Sequence, residues 1–421
     1  MQHGSLSLNC TVICLLWPVI IQGDPALYDH GDPDNDEQHM LEVINRARFD
    51  PEAEGQRYLD TTDTDVTYAI DYFAGNYALD IQAVAAEFAT YPSRPPLALN
   101  ASLMAVALNQ SNYMIEIGEQ THKRPDHATN SNYFRDSFTN EGYNPSSWIG
   151  ENVFAYSKSV WYAHAAFNID WGPLPGGIQD PPGHRISLMN YFPHDPRGTG
   201  RVVFTEIGVA IVPHTPEDDK DVGPEVVAQE FGFTLTDSFI TGVVYDDDDG
   251  DGFYSPGEGI GGVTVMPDSG DYYAITTASG GYSIPIFNSQ QRYEVSFSGA
   301  GISATSAEIL TYTGDNYKLD LIDGSPTHYY FGHKDSRWRF ERTVTGGSKD
   351  TEIGTVKDSN WPWMYHFNQQ SWAYVPDPLP LQDGFHIYFP GDPGHWTWSD
   401  NGLYGWYYHY TDQTWYNFTS Q

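Results

Sequence analysis

Apolar positions in the first half of the chain recur with the period of a helix, and in the second half they alternate. In NDEQHMLEVINRARFDP, Met40, Ile44 and Ala47 share one face, Asp36 stands where a helix cap is wanted, and Pro51 ends the segment. Asn100 heads a second helix, ASLMAVALNQSNYMIEIG. There Leu103, Ala107 and Met114 form one stripe, Met104, Leu108 and Ile115 lie beside it, and Gly118 closes it. A third helix runs from Ser159 to about Asp170, with Val160, His164, Phe167 and Trp171 on one side. RVVFTEIGVAIV is apolar without alternation, as in a strand covered on both faces, and VVAQEFGFTL is its partner. Helices around a small central sheet are expected from this half.

From Ser238 the helical period stops. FITGVVY, GGVTVM, YYAITT, GYSIPI, RYEVSFS and NYKLDLI are short strand patterns separated by turn residues, which predicts a β-sandwich. A Gly- and Lys-bearing linker follows over 324–357. The composition then changes: eight of the twelve Trp lie beyond Arg337. NWPWMYHF, SWAYV, FHIYF, HWTWS, GWYYHY and TWYNF recur between Gly, Pro, Asp and Asn, which predicts short hairpins with aromatics paired across strands. Such aromatics serve as the core of a small repeat module, or present a platform for sugar rings.

Charge narrows the function. With 56 acidic against 20 basic residues, the net charge is −36, which argues against nucleic acid and against anionic lipid surfaces. It suits an exported protein. The apolar run LSLNCTVICLLWPVIIQG holds both cysteines, Cys10 and Cys14, and reads as a signal peptide over 1–23, with a buried first strand as the alternative. The mature chain then has neither disulfide nor thiol nucleophile. No other run approaches ~18 apolar residues, so the mature chain is not expected to span a membrane.

Within the first half, MLEVINRARFDP, PPLALNASLMAVALNQSNYMI, THKRPD, EGYNPSSWIGENV, PPGHRISLMN, FTEIGVAIV and AQEFG occur in that order. Together they resemble the CAP superfamily (SCP domain) in its bacterial cysteine-free form, over residues 36–235. Gly150-Glu151-Asn152 and Pro182-Gly183-His184-Arg185 are the most specific segments. The resemblance implies an α–β–α sandwich with a His/Glu cleft able to take Zn²⁺ or another divalent metal. His122, Glu151 and His184 match the family's cleft residues, and the fourth member falls on His164 or Asp170. Two imidazoles and a carboxylate suit zinc, while a hydrogen-bonded buttress is the alternative for the same residues. His127 is a second choice for His122; His194 and His214 read as loop histidines.

The segment YDDDDGDGFYSPGEG carries a more specific signal. Asp247, Asp249, Asp251, Gly252 and Glu258 fit D-x-D-x-D-G-x₅-E, the register of a Ca²⁺ loop. The carbonyl of Phe253 and a water on Ser255 would complete the shell, with Glu258 bidentate, while Asp246 and Asp248 point outward. Its flanks are strands, so the loop is a structural staple. Residues 239–323 resemble the B-type repeats of bacterial surface adhesins.

The sequence therefore predicts a multidomain chain: an α–β–α sandwich of CAP type, an all-β sandwich with a calcium loop over 238–323, and a small all-β aromatic module over 358–421. The expected protein is secreted or held at the cell surface. It binds a small apolar ligand, a cell-envelope component or a polysaccharide. The alternative is a metal-dependent hydrolase of extracellular polymer, but no nucleophile is legible.

Overall fold

The computed structural model describes residues 24–144, 148–191, 204–216, 221–234, 237–287, 291–311 and 314–329, and, from 349 to 417, the backbones of strands. Residues 1–23, where a leader is expected, His194 and the aromatic side chains of the C-terminal region lie outside the described residues. The fold mixes helices with several sheets. Along its first part run β1 (Ala26–Leu27), α1 (Asn35–Phe49), α2 (Pro51–Asp60), α3 (Thr64–Tyr77) and α4 (Ile81–Phe88). Then come β2 (Ala98–Leu99), α5 (Ala101–Ile117), α6 (Tyr133–Asn140), β3 (Ile149–Ser157) and α7 (Val160–Ala165). A π turn over Ala166–Asp170, α8 (Gly183–Met189), β4 (Glu206–Pro213) and β5 (Glu225–Gly232) complete this part.

Caps set these boundaries. Asn100 accepts from the backbone of Ser102 and Leu103, and Gly118 ends α5 in the left-handed region, as the sequence predicts. Asp34, rather than Asp36, caps α1, because Glu37 reaches back to close a capping box. Pro51 does not end the helical run: Asp50 caps α2 and Pro51 takes its first turn, where its missing N–H costs nothing.

The sheet of the first part has the order β2-β4-β5-β3. Ile207, Val209 and Ile211 of β4 join Met40 and Ile44 of α1 in one core, whereas Ala210 and Ala228 join Ala107 and Met114 of α5 in another. The sheet is thus covered by helices on both faces. Gly208 makes the α5 contact feasible, since a Cβ there would lie 2.0 Å from the Leu103 carbonyl carbon.

The second part contains β6 (Asp237–Tyr245), β7 (Val263–Pro267), β8 (Tyr272–Ile275), β9 (Gly281–Phe287), β10 (Gln291–Gly299), β11 (Thr305–Thr311), β12 (Tyr317–Ile322) and β13 (Ser325–Tyr329). Two sheets form, in the orders β1-β8-β7-β10-β11 and β13-β12-β6-β9. Ile240, Ile284 and Leu319 of the second sheet share a core with Val265, Val295 and Ile309 of the first.

The two parts are fastened together. β1 pairs in parallel with β8, so the N-terminal segment completes a sheet of the second part. Lys318 is buried and bonds Glu42 of α1 and Asp320, each at 2.7 Å. Asn316 donates to the carbonyls of Pro96 and Thr205, and Ser283 accepts from the Leu99 N–H. A seam of satisfied buried polar groups of this kind fixes one docking geometry.

The C-terminal strands are β14 (Lys349–Thr351), β15 (Gly354–Asn360), β16 (Trp363–His366), β17 (Ser371–Tyr374), β18 (Phe385–Phe389), β19 (His395–Ser399), β20 (Trp406–His409) and β21 (Thr414–Asn417). They pair in chain order, each antiparallel to the next. The register sets Tyr365 opposite Trp372, Tyr388 opposite Trp396, and Trp398 opposite Tyr408. The stretch expected as a linker, 324–357, carries β13, β14 and the start of β15; β13 belongs to the second part through β12.

Candidate functional site

Strand β3 divides the histidines that the sequence expects to converge. Glu151 pairs across to Glu230 and Asn152 to Gln229, on opposite faces of the sheet. On the first face, His122 Nδ1 lies 2.7 Å from Glu151 Oε1, while Arg124 donates to Glu151 at 2.6 Å and to Glu230 at 2.9 Å. Burial pushes the Glu230 carboxyl well up, and the neighbouring Glu151 charge adds to this. Burial also opposes the charge on Glu151, but bonds from His122, the Glu230 carboxyl and Arg124 hold it below the usual range. On the second face, Asn152 donates to the His184 carbonyl.

His164 belongs to neither group. It is fully buried, its Nε2 lies 3.0 Å from Glu54 Oε1, and Arg46 and Arg57 hold the other carboxylate oxygen. Burial lowers the imidazole; Glu54, despite its burial, is drawn down to about 2 by His164 and Arg46. This is a buttress of the α1–α2–α7 packing. Of the two alternatives for a fourth cleft member, Asp170 is the one at His184.

The residues do not fit the zinc that the family resemblance implies. Both oxygens of Glu151 are taken, one by an imidazole and one by a guanidinium that already supplies the positive charge. Both oxygens of Asp170 are taken by His184. Among the described residues, His122, Glu151 and His184 do not come together as a ligand set.

His184 instead faces a cavity of about 360 Å³. Phe154 and Tyr156 of β3, Phe167 of the π turn, Trp171 and Phe73 of α3 line it, with Gln120 and Gln179. Phe73 and Trp171 stack at 5.9 Å, and the Phe167 ring lies 5.3 Å from that of His184. Tyr156 is 43% exposed at the wall. Asp170 is buried at φ 58°, a left-handed conformation that few non-glycine residues adopt, at the last position of the π turn. Backbone strain of this kind costs about 1–3 kcal/mol and persists where the surroundings enforce it. Here it aims both Asp170 oxygens at His184: the ring Nδ1 at 2.7 Å and the backbone N–H at 3.0 Å.

The acidic loop between β6 and β7 is the second candidate. Carboxylate oxygens of Asp247, Asp249 and Glu258 all lie within 4.8 Å of one another, the one such set among the described residues. The loop is wound on its own amides: Asp247 accepts from Gly250 and Gly252, and Glu258 from Asp248 and Ser255. Gly252 has φ 75°, as the tight turn requires. Asp251 lies outside the carboxylate set and caps the Phe253 N–H at 2.7 Å. Phe253 turns its ring to the first part, where Arg46 lies 4.6 Å from it.

Sequence reasoning misses Arg124, Glu230, Asn152 and the two glutamines. For Glu230 there is a signal, a carboxylate beside Gln229 in the middle of the largely apolar run VVAQEFG; for Gln120 and Gln179 there is none. No family model matches the chain, and neither a curated protein nor a solved structure matches it.

Proposed function

We propose that this chain is an exported binding protein of CAP type that takes a small apolar ligand in the cavity at His184. The cavity carries the reading. Its walls are aromatic, its volume lies in the range of small-molecule sites, and His184 is the one imidazole among its described lining residues. Tyr72 and Leu174, the chain neighbours of the wall residues Phe73 and Pro173, stand exposed, surface that water alone does not favour. The helix-covered sheet, with its glycine, histidine and GEN segments in family order, supports the CAP assignment. Calorimetric titration with 1-octanol tests the reading: one saturable site is expected, and heats no larger than those for glycerol would refute it.

The second part is, on this reading, a β-sandwich like the adhesin B-type repeats, with Ca²⁺ in its acidic loop. Asp247, Asp249 and Glu258 would hold the ion, which supplies the positive charge that three converging carboxylates lack. The Phe253 carbonyl and Ser255 remain proposed partners, and Asp251 would have to leave its amide to join. The sandwich is docked on the first part by the Lys318 seam, so it braces the binding module rather than spacing it from a surface. The aromatic register of β16 to β21 supports a stacking platform for polysaccharide or another envelope component.

A further inference from the structure

We propose that the His184–Asp170 pair makes this cavity a hydrolytic site for neutral esters of small apolar acids. The inference rests on the reading of the cavity as an apolar-ligand site and adds a reaction to it. The Asp170 carboxylate binds His184 twice, through the ring and through the backbone, which fixes the imidazole against rotation. With its proton on Nδ1 and directed at Asp170, the ring presents the Nε2 lone pair, and Nε2 has no protein partner among the described residues. A buried carboxylate that orients an imidazole in this way makes it a positioned general base.

The cavity also supplies donors. Gln120 accepts the Ala155 N–H through Oε1 at 3.0 Å, so its NH₂ is turned the other way. The Gln179 side chain makes no hydrogen bond among the described residues. Both amides line the cavity and suit a carbonyl oxygen that gains negative charge. Among the described residues no Ser, Thr or Cys lines it, and water is taken as the nucleophile. The apolar walls select an uncharged acyl chain.

In the step, His184 Nε2 takes a proton from water as the water oxygen bonds to the ester carbonyl carbon. The C=O electron pair moves onto the oxygen facing Gln120 and Gln179. Collapse restores the C=O, breaks the bond to the alcohol oxygen, and that oxygen takes the proton back from Nε2. One water and one ester give one acid and one alcohol. His184 is the catalytic residue and Asp170 a positioning residue.

The test uses the full chain with p-nitrophenyl butyrate, followed by nitrophenol release, beside calorimetric binding of butyrophenone, a ketone of similar shape that cannot be hydrolysed. Wild type should hydrolyse the ester above the buffer rate, with or without chelator. His184→Asn should lose about 100-fold, the scale of one general base, and still bind the ketone. Asp170→Asn should lower kcat with KM unchanged. Binding of the ketone without hydrolysis would overturn the reaction and leave the binding reading standing. Hydrolysis that persists in His184→Asn would also overturn it, and failure to bind the ketone would overturn both.

Discussion

The ring of Phe253 lies 4.6 Å from the guanidinium of Arg46, and through this contact the acidic loop bears on the core of the first part. Arg46 also holds Glu54, which in turn holds His164, so a change in the loop reaches α2 and α7 through three side chains. His39 packs against the same loop, 6.0 Å from Phe253 and 6.4 Å from Tyr254.

Calcium should therefore stabilise the joined parts together. Scanning calorimetry with calcium, and with chelator, should show one transition moved upward by the ion. At a concentration 100 times Kd the gain is about 2.7 kcal/mol. Asp249→Asn and Glu258→Gln should remove most of the shift. Asp248→Asn should leave it intact, and Asp251→Asn should reduce it little, since Asp251 stands outside the carboxylate set. Identical melting in calcium and in chelator would remove the ion from the account.

Lys318→Met should destabilise the chain by about 3–5 kcal/mol in urea unfolding, because it leaves Glu42 and Asp320 buried without their cation. Adding Glu42→Gln and Asp320→Asn should recover most of that loss. A Lys318→Met chain as stable as wild type would show that the seam does not hold the parts together.

Acid should weaken the contact at His39. Burial, with Arg46 and His164 nearby, lowers its pKa to about 4 from 6.5. The folded state thus binds fewer protons than the unfolded one between these values. The stability this group contributes is present above pH 6.5 and is lost as pH falls toward 4. Relative to His39→Gln, wild type should lose roughly 3 kcal/mol over that window. Parallel stability curves for the two proteins would contradict the assignment.

Arg124→Met should cost about 3–5 kcal/mol, since it leaves Glu151 and Glu230 side by side in the sheet. Glu230→Gln in that background should restore part of it. If stability is unchanged by Arg124→Met, the guanidinium does not neutralise the pair.

Much of the fold is legible in the sequence because it depends on local chemistry. Asn100 and Gly118 bound α5 through bonds within one turn, and the strands from Phe239 to Ile322 follow from alternation between turn residues. The acidic loop follows from a spacing. What is not legible depends on direction or distance. GEN names three adjacent residues, but the two-residue period of a strand sends Glu151 and Asn152 to opposite faces, and nothing local says which face His184 will join. The Lys318–Glu42 pair joins residues far apart in the chain. α2 to α4, which begin at the Asp caps Asp50, Asp63 and Asp80, are not among the helices predicted from the sequence.

Fluorescence titration with N-phenyl-1-naphthylamine, a neutral apolar dye, tests the binding reading most directly. Wild type should take up one dye per chain. Tyr156→Asp, which sets a charge at the cavity wall, should weaken uptake at least tenfold. Tyr68→Asp, exposed and outside the lining, should bind as wild type does. Uptake by Tyr156→Asp equal to that of wild type would show that the dye sits elsewhere and that the cavity at His184 is not the ligand site.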